Sequence, residues 1–206
     1  YPNNKYSEEA MMMSAEIAYI AKDYVQSLEW YKLLKDRTST PERRQIAATG
    51  MLRSAAMSGN GEETILAATA VLADAKVAPE LESEARHYRS KALVEANQLT
   101  HAVADWEALA KDTRNVYGAE AKYRLAQYLF DSGKTKEAEQ EVLNYLEVST
   151  PHAYWLARSF VLLSDIYAKL DRKLEARQYL LSLKQNYQAD DDIAGMIESR
   201  LENLSE

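Results

Sequence analysis

The residues Gly133-Lys134-Thr135 are the closing letters of a phosphate-binding loop, in which consecutive backbone N–H groups wrap phosphates after a strand. The other glycine of that pattern would fall at Tyr128. The upstream Tyr123, Leu125, Ala126, Leu129 and Phe130 recur at helical spacing, not strand spacing, so nucleotide binding is not expected here. Glu84 and His87 form a Glu-x-x-His pair of the kind used in di-iron bundles, but such a site needs a second pair, and the sequence holds none. The run Asp190-Asp191-Asp192 lacks the alternating ligands, glycine and closing glutamate of a calcium loop; ahead of an apolar helix it reads as N-terminal capping. Of Met11-Met12-Met13, two are expected in the core. His101 and His152 fall in a turn and a connector. There is no Gly-x-Ser-x-Gly elbow and no supported Ser/His/Asp arrangement. No catalytic residue, metal or cofactor is expected.

The elements around these residues follow from composition and period. The chain has 206 residues, 47% hydrophobic and 28% charged, with six Gly and four Pro, the profile of a soluble helix-rich globular protein with material for a core. A net charge of −7 without a basic cluster argues against nucleic acid and anionic membrane surfaces. The longest nearly apolar run, Ile65 to Ala73, falls short of the about 20 residues a membrane span requires. No cysteine is present, which removes disulfides and thiol chemistry and fits cytoplasm or periplasm equally. Tyr outnumbers Phe by 14 to 2, so many aromatics are expected at half-buried helix contacts.

Internal repetition organises the chain. Slim residues pair at a constant separation of 12: Ala15 with Ser27, Leu52 with Thr64, Ser90 with Ala102, Ala126 with Ala138, and Ser164 with Ala176. Successive units step by 37, 38, 36 and 38 residues. Two further columns keep phase, Tyr31, Ala68, Trp106, Val142, Leu180 and then Leu34, Val71, Leu109, Tyr145, Leu183, which is one helix face. Between the paired slots lie turn formers, Lys22-Asp23, Ser58 to Gly61, Asn97-Gln98, Ser132 to Lys134 and Asp171-Arg172. Gly133 therefore ends a helix and Lys134-Thr135 begin the next. Pro41, Pro79 and Pro151 precede first helices, with Thr40 and Thr150 as expected N-caps; Pro2 stands ahead of the first unit in the same way. The opening "YPNNKYSEEA" reads as a connector leaving an earlier unit of a longer array.

The reading is an all-α chain of five helical hairpins, at about 8–37, 42–75, 80–112, 117–148 and 152–186, with a capping helix at 190–204, forming a single repeat domain over 1–206. The fourth and fifth units, "AEAKYRLAQYLFDSGKTKEAEQEVLNYL" and "ARSFVLLSDIYAKLDRKLEARQYLLSL", resemble the tetratricopeptide repeat family. That resemblance covers residues 8 to about 185 and implies a right-handed α-α superhelix. The units depart from the family in exceeding about 34 residues, in bulky Leu52 at a slot, and in lacking the glycine often found beside it.

The resemblance further implies a protein or peptide partner bound along a concave groove lined by first helices. Carried over by phase, the partner-binding residues are Tyr19, Arg53, His87, Lys91, Tyr123, Gln127 and Phe130, with Met12, Glu16, Thr49, Ala56, Val94, Val161, Asp165 and Ala168 beside them. Arg53 and Lys91 are expected to meet acidic groups, and Tyr123 and Phe130 to act as flat anchors. The basic clamp of chaperone-tail binders is missing, since its places hold Met12, Glu16, Thr49 and Arg53. The expected function is a non-catalytic scaffold or adaptor, the alternative being an accessory domain of a larger, enzymatic protein. The opening connector looks like those of bacterial envelope repeat proteins, so periplasm or cell envelope stands beside cytoplasm as location.

Overall fold

A computed structural model describes the backbone of residues 5–204. Among these residues there are eleven α-helices and no strand: α1 (Lys5–Ile20), α2 (Tyr24–Arg37), α3 (Pro41–Ser58), α4 (Gly61–Leu72), α5 (Pro79–Glu95), α6 (Leu99–Leu109), α7 (Val116–Asp131), α8 (Thr135–Leu146), α9 (Ala153–Lys169), α10 (Lys173–Asn186) and α11 (Ile193–Asn203). They fall as the expected five hairpins and a terminal helix; Pro2 lies outside the described residues.

The constant interval of the sequence is a physical contact. Every slot residue is buried, from Ala15 and Ser27 through Ser164 and Ala176. In the first hairpin the Ser27 hydroxyl donates to the Ala15 carbonyl (2.9 Å) and shares a 2.9 Å hydrogen bond with Ser54 of the next hairpin. The two phased columns, Tyr31 to Leu180 and Leu34 to Leu183, are buried as well. The hairpin turns obey one rule the sequence did not announce. Seven residues after each first slot the backbone is left-handed, at Lys22 (φ 62), Gly59 (φ 73), Asn97 (φ 58), Gly133 (φ 78) and Asp171 (φ 61). Five turns of one geometry, each closing a helix in the conformation that glycine and asparagine tolerate best, explain why the separation within a unit never changes.

Of the two expected N-caps, Thr40 caps its helix and Thr150 does not, while two turn residues, Asp23 and Asn60, cap theirs. Asp23 accepts from the Gln26 N–H (3.1 Å), Asn60 from Glu63 N–H (3.1 Å), and Thr40 from Arg43 N–H (3.4 Å) with Pro41 in the first turn. Thr150-Pro151 is different. Helix α9 begins at Ala153, and the Thr150 hydroxyl donates to the Thr113 carbonyl (2.8 Å), tying one connector to the previous one instead of capping. At the terminal helix, Asp191 accepts from the Ile193 N–H (3.0 Å), while Asp192 receives Arg158 (3.1 Å).

The helices form two compact units, residues 1–105 and 106–206, with the division inside α6. In the first, α2 packs against α3 and α4 against α5 around Met11, Ala15, Tyr31, Leu34 and Ala47, and around Leu52, Ala67, Ala68, Val71 and Ala85. In the second, α8 packs on α9 about Tyr123, Ala138, Val142, Leu163 and Ile166, and α11 closes a core of Ala157, Val161, Leu180, Ile193 and Ile197. Each hairpin thus completes the core of its neighbour, which is how a repeat too small to bury its own apolar face becomes stable. Within each unit successive first helices pack on one another, α1 with α3, α3 with α5, and α7 with α9. Helix α2 reaches α4 through the Lys32–Glu63 ion pair (2.8 Å), with no close backbone approach. First helices lie closer together than second helices, so each unit curves toward its first-helix side.

Candidate functional site

The first-helix side of the first unit holds a cavity of about 400 Å³. Its walls are Glu16 and Tyr19 of α1, Tyr31 of α2, and Gln45, Ile46, Thr49, Gly50 and Arg53 of α3. Gly50 makes the floor possible. A Cβ at that position would collide with the Tyr31 ring, so glycine lets the ring lie flat on the α3 backbone. The Thr49 hydroxyl donates to the Gln45 backbone carbonyl (3.0 Å), and both residues line the opening.

Charge in this cavity is not distributed as the sequence suggests. Arg53 was expected to meet an acidic partner, but its Nε and Nη2 donate to the two carboxylate oxygens of Glu84 on α5, each at 2.8 Å. That bidentate pair is geometrically favourable for guanidinium and carboxylate, and the Glu84 carboxylate raises the Arg53 pKa. It also occupies the oxygens that a Glu84-His87 metal site would use. Among the described residues no three His, Cys, Asp or Glu side chains are placed to hold a metal ion. The remaining charge on the cavity wall is Glu16, exposed on α1. Burial, and after it the Glu16 carboxylate, pushes the Tyr31 phenol above its ordinary pKa. The cavity therefore presents one negative charge, two tyrosines and a glutamine amide.

The seven phase-derived residues are not equivalent. Tyr19 and Arg53 share the cavity. His87 is half-buried with its ring 5.4 Å from that of Tyr88, and Lys91 is exposed farther along α5. In the second unit Tyr123 is only 5% exposed; its ring belongs to the core and only its hydroxyl edge faces outward polar groups. That hydroxyl donates to Gln127 (3.1 Å) and accepts from Arg158 (3.1 Å), so Tyr123 and Gln127 are brought together, but under an arginine. Phe130 is half-buried against the same core, with the Lys169 ammonium 5.1 Å from its ring centre. Of the flanking residues, Val161 is buried and Asp165 is taken by Arg200 at 2.7 Å. Period places a residue on a helix face; it does not say whether a neighbour has already claimed that face.

Two polar centres were missed. Asp105, fully buried, accepts from Arg89 Nε (2.8 Å), Arg89 Nη2 (2.7 Å) and Arg86 Nη1 (3.2 Å). Arg158 gathers the hydroxyls of Tyr123 and Tyr154 and the Asp192 carboxylate, with the Tyr123 ring 5.0 Å away. The arginines at 86 and 89, three residues apart on α5 and facing the lone aspartate of α6, were the available signal for the first. The second joins residues of α7 and α9 with Asp192 just ahead of α11 and left no local trace.

Fold and site together define an α-α helical-repeat chain. No protein-family model matches it, and no curated protein sequence does either. Among the described residues no helix is long and apolar enough to cross a membrane.

Proposed function

We propose that this chain is a non-catalytic scaffold of the tetratricopeptide type that holds an extended segment of a partner protein on the first-helix side of its first unit. The observation that carries this is the cavity bounded by α1, α2 and α3, open on the inner curve of the unit and lined by groups that suit a peptide: the Gln45 amide for its backbone, Tyr19 for its side chains, and Ile46 for an apolar contact. With Arg53 neutralised by Glu84 and Glu16 left on the wall, the segment carries a lysine or arginine opposite Glu16. The location that goes with this reading is the bacterial cell envelope, on the style of the opening connector.

A photo-crosslinking residue at Ile46, 43% exposed, tests the site against the same residue at Leu66, 61% exposed on α4 and outside the cavity. A discrete adduct from position 46 that disappears in Glu16→Lys, with helicity unchanged by circular dichroism, supports the proposal. Equal adducts from both positions, or an adduct indifferent to Glu16→Lys, would overturn it.

A further inference from the structure

At the floor of the first unit's cavity, one buried polar group has no partner. Tyr31 is 7% exposed, its ring packed in the core with Met11, Ala15, Leu34 and Ala47 and laid on α3 at Gly50. The faces of the ring are therefore taken, and what Tyr31 turns to the cavity is its hydroxyl edge. Among the described residues that hydroxyl makes no hydrogen bond, and neither do the Glu16 carboxylate and the Tyr19 hydroxyl on the same wall. Tyr123, at 5% exposed, differs in having both Gln127 and Arg158 for its hydroxyl. Buried polar groups are nearly always paired, so a phenol left open toward a cavity points to what enters there.

The three free groups stand close together. Glu16 and Tyr19 are three residues apart on α1 and so share one face of that helix. After burial, Glu16, Arg53 and Tyr19 in turn act on the Tyr31 pKa, which places them all within electrostatic reach of its phenol. Arg53 lies beside them with its Nε and Nη2 turned to Glu84, leaving Glu16 as the charge that an incoming group meets.

Three acceptors and one negative charge match a primary ammonium, which carries three donors on one nitrogen and no acceptor. A guanidinium is a planar fork, suited to the two oxygens of one carboxylate and to the open face of an aromatic ring. Tyr31 offers no face, and the Glu84 carboxylate already holds one such fork. A trimethylated ammonium has no N–H to give and is recognised by ring faces around it. We propose that the cavity is a lysine receptor, in which the ε-ammonium sits among Glu16, Tyr19 and Tyr31 and the alkyl stem lies along Ile46 and Thr49. This rests on the reading that a partner segment occupies the cavity, and it narrows that segment's basic residue to unmodified lysine.

The probe is the blocked tripeptide acetyl-Ala-Lys-Ala-amide, titrated into the whole chain carrying isotope label at glycine nitrogen and threonine carbonyl carbon and followed by NMR. Thr49-Gly50 is the single Thr-Gly step in the sequence, so the labels single out the Gly50 amide, against which the Tyr31 ring lies. A saturable shift of that signal is expected. Affinity should weaken about tenfold or more, ~1.4 kcal/mol, for the arginine and trimethyl-lysine tripeptides, and likewise for the lysine tripeptide in Tyr31→Phe. n-Butylamine, the same ammonium and stem without a peptide, should bind more weakly than the tripeptide; equal affinity would overturn the peptide as carrier. No saturable shift, an arginine tripeptide that binds as well as lysine, or an affinity indifferent to Tyr31→Phe at unchanged helicity overturns the lysine receptor. Should the lysine preference fail while the Ile46 adduct persists and still depends on Glu16, the lysine receptor falls and the peptide site stands. Should both fail, the peptide site falls with it.

Discussion

Replacing Asp105 by Asn is the most informative single change in the first unit. The carboxylate is fully buried on α6 and accepts three guanidinium hydrogen bonds at 2.7 to 3.2 Å, two from Arg89 and one from Arg86. Asparagine keeps the shape but turns one acceptor into a donor aimed at an arginine, so at least one N–H group of Arg89 loses its partner. Removing one member of a buried pair costs about 3–5 kcal/mol because the other charge stays behind. Here the arginines are 22% and 26% exposed and can recover some hydration, which places the loss at the lower end, about 3 kcal/mol. For a chain of this size that is a fall of roughly 6–12 °C in melting temperature. Urea unfolding followed by circular dichroism measures it. The bonding predicts an order among variants: Asp105→Asn costs most, Arg89→Met next, and Arg86→Met least, because Arg86 makes one longer bond to Asp105 and is otherwise held by Glu82 at 2.8 Å. If Asp105→Asn cost less than about 1 kcal/mol, or Arg86→Met more than Arg89→Met, the network would not be what holds α5 and α6 together.

Gly118→Ala should destabilise the second unit by about 3 kcal/mol or more, since its Cβ would collide with the Asp112 carbonyl and lie 2.6 Å from that of Leu109, both backbone atoms that cannot swing away; Gly195→Ala, in open space on α11, should instead stabilise by about 0.5–1 kcal/mol in the same urea assay. Burial, and then the neighbouring Tyr179, pushes the Tyr167 phenol up to about 12. Its folded pKa thus exceeds the unfolded value of about 10, so the stability it contributes is intact below pH ~10 and is lost as pH rises through ~12. Tyr167→Phe should flatten that part of an alkaline titration followed at 222 nm, and an unaltered curve would count against the assignment.

How much of this molecule could be read from its letters depended on how local the cause was. The helices, their order and the hairpin turns follow from period and from residues such as Gly133 and Asn97 that close a helix in place, and the separation of 12 fixes which residues cross. These are interactions within a few turns of chain, so spacing alone encodes them. What the sequence could not decide was who answers whom across hairpins. Arg53 is satisfied by Glu84, Tyr123 is roofed by Arg158, Thr150 serves Thr113 instead of α9, and Gly50 is a floor for Tyr31. Each of these pairings joins residues 19 to 37 positions apart, at distances set by helix packing and not by the chain.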